Sequence, residues 1–221
     1  MNEKINKWLD KCKDCEIIVD FTGGTKCMTA ALAIVASQMW RCGFSYIGGK
    51  ERNKGGVGTV VNGAEEVFKY PNPYDSLGFI AIDKAVFYFD KLAFSFAYKE
   101  CEEAKKKVYD KNMQTTLLSL EKLAKAYEHW DKFQHNKAYN TLSELSTYES
   151  YLENQFPNKK DKLIKGLKAN REFLKALIDE KEKPSINLLK DLLANALRRK
   201  EVGFLDDAVA RLYRFTEALA Q

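Results

Sequence analysis

The sequence predicts an α+β protein that is predominantly α: a partial, Rossmann-like α/β unit followed by TPR-like helical hairpins. Three observations predict it. Residues 16 to 38, EIIVDFTGGTKCMTAALAIVASQ, pass from a β-branched apolar stretch through a glycine turn into a helical apolar repeat. Short strand-like segments separated by glycine-bearing turns fill residues 44 to 70. From about residue 75 onward the chain reads as helix, and that helical text repeats itself. An α/β domain over 1–74 and a helical-hairpin domain over 75–221 follow from this division.

Residues 3 to 12 are expected to form a short helix with Ile5, Trp8 and Leu9 on one side. Glu16 to Phe21 is short, apolar and β-branched, so a buried strand. In the helix that follows, Met28, Ala31, Leu32, Val35 and Met39 recur at three and four residues, and Gly43 stands where a C-terminal stop is expected. FSYIGG, VGTVVNG and EEVFKY read as three strands joined by turns, with a charged glycine loop, ERNKGG, after the first. Asn62-Gly63 is a hairpin signal, and Pro71 and Pro73 close the segment.

The helical part contains three related stretches: AVFYFDKLAFSFA (85–97), AYEHWDKFQHNKA (126–138) and ALRRKEVGFLDDA (196–208). Each carries alanines twelve apart, at 85 and 97, 126 and 138, 196 and 208, around a turn at Asp90-Lys91-Leu92, Asp131-Lys132-Phe133 or Val202-Gly203-Phe204. Small residues at those places let paired helices approach across a short connection. The units stand 41 and 70 residues apart, so the array is irregular. In FIAIDKAVFYFDKLAFSF, helical spacing puts Ile82, Val86, Phe89, Ala93 and Phe96 in the core and leaves Tyr88 and Phe94 for the first domain or a partner. Asn158 and Lys183-Pro184 mark further breaks.

Composition excludes several classes. A net charge of +5 over 221 residues is mild, and lysines and glutamates alternate along the helices, which argues against binding duplex nucleic acid. No apolar run is long enough to span a bilayer, and MNEKINKWLDKCKDCE lacks the apolar core of a signal peptide, so a cytoplasmic protein off the membrane is expected. Five cysteines, an odd count, suggest reduced thiols rather than a disulfide framework. Cys12 and Cys15 form a lone CxxC that precedes the strand, without the second pair a zinc site needs, and no metal ligands are assigned.

The candidate binding residues are Thr22, Gly23, Gly24, Thr25 and Lys26. At the end of a buried strand, two glycines can adopt φ values other residues resist and let a ligand reach the backbone. Thr25 can cap the helix, whose first N–H groups and dipole favour an anion; Lys26 adds a charge and Thr22 a hydroxyl. The turn is neither a Walker A loop nor GxGxxG. On these residues alone, anion or nucleotide binding and a purely structural turn both stand.

VDFTGGTKCMTAALA (19–33), FSYIGGKERNKGGVGTVV (44–61), NPYDSLG (72–78) and LLANALRRKEVGFLDDAVARLYRFTEALAQ (192–221) resemble CRISPR-associated proteins with a CARF domain, the CRISPR-associated Rossmann fold, followed by a helical region. The resemblance implies a domain that dimerises and binds cyclic oligoadenylate, the second messenger of type III CRISPR defence, with Thr22 to Lys26 as a ligand-contacting loop and no other cofactor. A full CARF domain begins with further strand–helix units, whereas this chain starts at most one helix before the fourth-strand-like segment, which leaves a sheet edge unpaired. At the other end Val209, Leu212, Phe215 and Leu219 hold helical register to Gln221, as in a fragment.

CARF proteins often carry a HEPN ribonuclease domain, marked by an arginine and a histidine a few residues apart. His129 and His135 have no arginine shortly before them, and Arg198, Arg199, Arg211 and Arg214 have no histidine after them. Cys27 sits at a helix N-terminus beside Met28 and Ala30 and is expected to pack. No catalytic residue is assigned, and the expectation is that the chain is not an enzyme. It reads as a non-catalytic regulatory or adaptor protein of type III CRISPR signalling, a homodimer through the CARF-like domain with a protein partner on its hairpins, such as a CRISPR-associated protease or a sigma factor. Two alternatives stand beside this: the sensory fragment of a cyclic-oligoadenylate-activated HEPN ribonuclease, and the anti-sigma-like companion substrate of a Lon-type protease, cut near Pro157 to Lys160 or Asp179 to Pro184.

Overall fold

The computed structural model describes residues 7, 16–49, 51, 60–180 and 184–220. The helix expected over 3–12 (apart from Lys7), Cys12 and Cys15, residues 57–59 of the VGTVVNG strand and Lys183 lie outside the described residues. The chain forms two compact units, one of Met1–Phe79 with Lys106–Gln114, the other of Ile80–Lys105 with Thr115–Gln221.

The first unit is built on β1 (Ile17–Asp20), α1 (Lys26–Met39), β2 (Cys42–Gly48) and β3 (Glu66–Tyr70). β1 and β2 pair in parallel with Val19 opposite Phe44; β2 and β3 pair antiparallel with Phe44 opposite Tyr70. The order β1-β2-β3 makes β1 an edge among the described residues. Val19, Ala36, Trp40, Cys42 and Phe44 form the core, with Ile17, Phe21, Leu32 and Ala33 packed against it. Phe21 is its aromatic hub, its ring 5.8 to 6.1 Å from those of Phe44, Tyr46 and Tyr70. The expected apolar repeat of α1 is only partly inward: Met28 and Val35 are exposed, and Leu32, Ala33 and Ala36 make the packed side.

Gly43 does not stop that helix. α1 ends at Met39, with the Trp40 N–H returning to the Ala36 carbonyl, and Gly43 lies inside β2 opposite Ile18. Its lack of a side chain makes room for Tyr109, whose ring atoms would stand 3.1 Å from an added Cβ. The Asn62-Gly63 turn is closed by Ala64 N–H to the Val61 carbonyl at 2.9 Å, with Gly63 at φ +88°.

Asn72 explains the Pro-Asn-Pro segment. It is wholly buried, its amide donates to the Cys42 carbonyl at 2.8 Å, and its Oδ1 accepts the Tyr74 N–H at 2.8 Å. It thus ties the sheet to the first turn of α2 (Pro73–Asp90), where proline at the first position sacrifices no hydrogen bond. Asp75 accepts the backbone N–H groups of Tyr109 and Asp110 at 2.6 and 3.1 Å, which brings residues 106–114 onto this unit.

The remaining helices are α3 (Phe94–Lys107), α4 (Lys111–Asp131), α5 (His135–Leu145), α6 (Glu149–Gln155), α7 (Lys160–Asp179), α8 (Ile186–Glu201) and α9 (Leu205–Leu219). Short 3-10 turns at Ser146–Tyr148 and Pro157–Lys159 separate them, the second falling on the expected break at Asn158. The three sequence repeats are three copies of one turn. Leu92, Phe133 and Gly203 have φ of +58°, +56° and +89°. In each copy the residue after it donates its N–H five residues back: Ala93 to Tyr88, Gln134 to His129, Phe204 to Arg199. That is the Schellman termination of a helix. All six repeat alanines are buried, from 0% to 5% exposed.

The same turn corrects one expectation. Phe96 is 62% exposed and Phe94 is 5% exposed, the reverse of their expected roles. A continuous helical phase across FDKLAFSF would bury Phe96, whereas the left-handed residue Leu92 resets it, so α3 buries Phe94, Ala97, Cys101 and Ala104. Among the described residues no helix is long and apolar enough to cross a membrane.

Candidate functional site

The glycine turn sits between the end of β1 and the start of α1, pinned to β2 from below. Phe21 N–H continues the parallel ladder to the Ser45 carbonyl at 3.2 Å, and Thr22 Oγ1 accepts the Ile47 N–H at 2.7 Å. Asp20, which the sequence reading passed over, locks the bend: Oδ1 accepts the Thr22 N–H at 3.0 Å and Oδ2 the Ser45 hydroxyl at 2.7 Å. Those bonds, Ser45 first and then Thr22, hold the Asp20 carboxyl below its ordinary titration value.

Gly23 has nothing within 4 Å of a would-be Cβ, and Gly24 adopts φ +101°, a conformation L-residues resist. Thr25 caps α1, its Oγ1 accepting the Met28 N–H at 3.4 Å. Lys26 opens the helix, where geometry leaves the first N–H groups without intrahelical acceptors. All five residues are thus on one exposed bend, which brings together backbone N–H groups, a helix N-terminus and one ammonium, groups of the kind that favour an anion. Cys27 is exposed rather than packed.

The second polar concentration joins α4 and α5 to α8 and α9. Asp131, at the end of α4, accepts Asn195 Nδ2 at 3.1 Å and Arg198 Nε at 3.4 Å on Oδ1, and Arg199 on Oδ2. Asp191, on α8, accepts Trp130 Nε1 at 2.8 Å and pairs with His135 Nε2 at 2.9 Å. Arg211 pairs with Asp207 at 2.5 Å and lies over the Phe133 ring, 5.4 Å from its centre. Each of His129 and His135 has its own partner, Gln134 Oε1 for the first and Asp191 for the second, and the two do not converge. Among the described residues no three histidines, cysteines or carboxylates are grouped to hold a metal ion. Sequence reading missed this network because its partners lie far apart along the chain, Trp130 and Asp191 by 61 residues.

Residues 77–174 match the model of the Csm6 6H domain. Residues 177–221 match the model of the Csm6 HEPN domain, so α8 and α9 lie in the second match. No curated protein matches the chain. The HEPN match overturns the expectation that the chain is not an enzyme, because residues 177–221 are similar to a domain of the HEPN ribonuclease type. That expectation rested on a missing arginine–histidine spacing, which bears on one motif of the fold and not on the helices that carry the match. With both domain types in one chain, this is a type III CRISPR accessory protein of antiviral defence.

Proposed function

We propose that this chain is the messenger-responsive part of a cytoplasmic HEPN ribonuclease of type III CRISPR defence. In this reading the α/β unit is a CARF-like sensor that dimerises and takes cyclic oligoadenylate at Thr22, Gly23, Gly24, Thr25 and Lys26. The 6H helices connect it to the HEPN helices α8 and α9. The observation that carries the reading is the order of parts: an α/β unit with an exposed glycine turn at a helix N-terminus, then a Csm6 6H match, then a Csm6 HEPN match.

On the sensor side, the backbone donors and the ammonium of Lys26 would hold the phosphates of the ring, and Gly23 would leave space for the sugar-phosphate edge to approach. Residues 177–221 contain arginines but no histidine, so the arginine–histidine pair of a HEPN motif is not complete within them.

Calorimetric titration with cyclic tetra- and hexa-adenylate tests the sensor. Saturable binding is expected, weakened in Lys26→Ala by roughly 1.5–3 kcal/mol for a charged hydrogen bond, about tenfold to a hundredfold in affinity. Absence of saturable binding to the unmodified protein would remove the sensor, and equal affinity in the variant would remove the role of Lys26.

A further inference from the structure

Two carboxylates in the helical unit are unusually deep: Asp131 is 8% exposed and Asp191 only 2%. They face opposite ways across the same junction. Asp131 belongs to the 6H-matched residues and takes its donors, Asn195, Arg198 and Arg199, from the HEPN-matched residues. Asp191 belongs to the HEPN-matched residues and takes its donors, Trp130 and His135, from the 6H-matched residues.

The repeat itself does not require this burial. Asp90 stands at the same place as Asp131, five residues after the first repeat alanine, and is exposed; so is Glu201 in the third copy. Only the middle turn drives its carboxylate into another hairpin. Around it, Arg199 reaches Asp207 of α9 at 3.3 Å, and Arg211 of α9 covers Phe133, the left-handed residue of that turn. The bonds therefore thread α4, α5, α8 and α9 in one set. Apolar packing could hold helices together without desolvating two carboxylates. Both oxygens of each carboxylate are bonded, while Asn195 Oδ1 and Arg211 Nε beside them have no hydrogen bond, and buried pairs of this kind can serve to select one arrangement over others.

We propose that Asp131 and Asp191 form a reciprocal latch by which the 6H helices set the position of HEPN helices α8 and α9, both acting as positioning residues for the ribonuclease. The latch stands on this geometry; its consequence for RNA cleavage rests on the proposed function. It also assigns Arg198, Arg199 and Arg211 to the junction rather than to RNA.

The test uses the whole chain with Asp191→Asn, Asp131→Asn, the swapped pair Asp131→Arg with Arg199→Asp, and Trp130→Phe. The last removes the indole N–H and leaves a smaller aromatic ring facing Phe173, so it perturbs folding less than the loss of a buried carboxylate. Peptide-resolved hydrogen exchange is expected to quicken at least tenfold over 186–219 in the single variants, to stay unchanged over 16–48, and to return toward the parent in the swapped pair. Cleavage stimulated by cyclic tetra- or hexa-adenylate should lose kcat, corrected for folded fraction, with KM for RNA and messenger affinity retained. Unchanged exchange over 186–219 in Trp130→Phe and Asp191→Asn overturns the latch. So does a fall in melting temperature with kcat per folded molecule unaltered, which describes a merely structural pair. If the unmodified protein shows no stimulated cleavage, the proposed function fails and the exchange comparison still decides the latch.

Discussion

The ring of Tyr109 lies across Gly43 so closely that a Cβ there would stand 3.1 Å from both Cζ and the hydroxyl oxygen. The ring cannot easily move away. Its backbone N–H is held by Asp75 at 2.6 Å and its hydroxyl by Glu16, and that hydrogen bond, helped by burial, pushes the phenol up to about 12. Gly43→Ala is therefore expected to cost about 1–3 kcal/mol as an overpacking change. Thermal melting reads this as a drop of roughly 2–4 °C per kcal/mol for a chain this size. A variant melting with the parent would mean the ring yields freely and that β2 does not need glycine here.

The repeated helix terminations predict opposite signs for two open glycines. Gly203 has φ +89° and Gly166, inside α7, has no positive φ; an added Cβ meets nothing within 4 Å at either. Gly203→Ala should thus lose about 1–2 kcal/mol purely from the left-handed backbone. Gly166→Ala should gain roughly 0.5–1 kcal/mol from lost unfolded-state freedom. Denaturant midpoints at unchanged slope separate the two, and the same sign in both would contradict the termination geometry.

What could be read from the sequence was local. The strand, glycine turn and helix over 16–39 were legible as elements, though not the face that the helix packs, since Met28 and Val35 are exposed; the six repeat alanines needed only their spacing. Phase across a turn was not readable, because nothing in FDKLAFSF shows that Leu92 takes the φ usual for glycine; hence the exchanged roles of Phe94 and Phe96. Asp20 was readable only as a strand residue, since its value to the bend depends on Ser45 arriving from the neighbouring strand. The junction of Asp131 and Asp191 was least legible. Its donors come from helices distant in sequence, and a charged residue at a helix end ordinarily signals a solvated one.

The three cysteines among the described residues should divide sharply in reactivity. Burial, with a smaller push from Asp75, raises the Cys42 thiol to about 11; burial, with Glu121 and Glu100, raises Cys101 to about 12. Cys27 is exposed. At pH 8, peptide-resolved labelling with a maleimide should modify Cys27 on the order of a hundredfold faster than the other two, which lack both thiolate and access. Because both folded values lie above the ordinary 9.0, the stability these thiols contribute is full below pH 9 and declines as pH rises through about 11 to 12. Comparable labelling rates for all three would show that the Cys42 and Cys101 sites open readily.

Acid should act on the glycine turn through Asp20. Its carboxyl is held below 3.8 by the Ser45 hydroxyl first and by Thr22 next. A lowered folded value means that the contribution to stability is present above the ordinary carboxylate value and is lost as pH falls through the folded one. Ser45→Ala removes the largest of these causes and leaves Oδ2 without its hydroxyl donor. The Asp20 carboxyl carbon, followed by NMR, should then titrate at higher pH than in the parent, and the Thr22 and Ile47 amides should shift with it because Thr22 is bonded to both residues. If Asp20 titrates identically with and without the Ser45 hydroxyl, that hydroxyl does not lower the Asp20 carboxyl, and the bend is held by Thr22 and the backbone ladder to β2 alone.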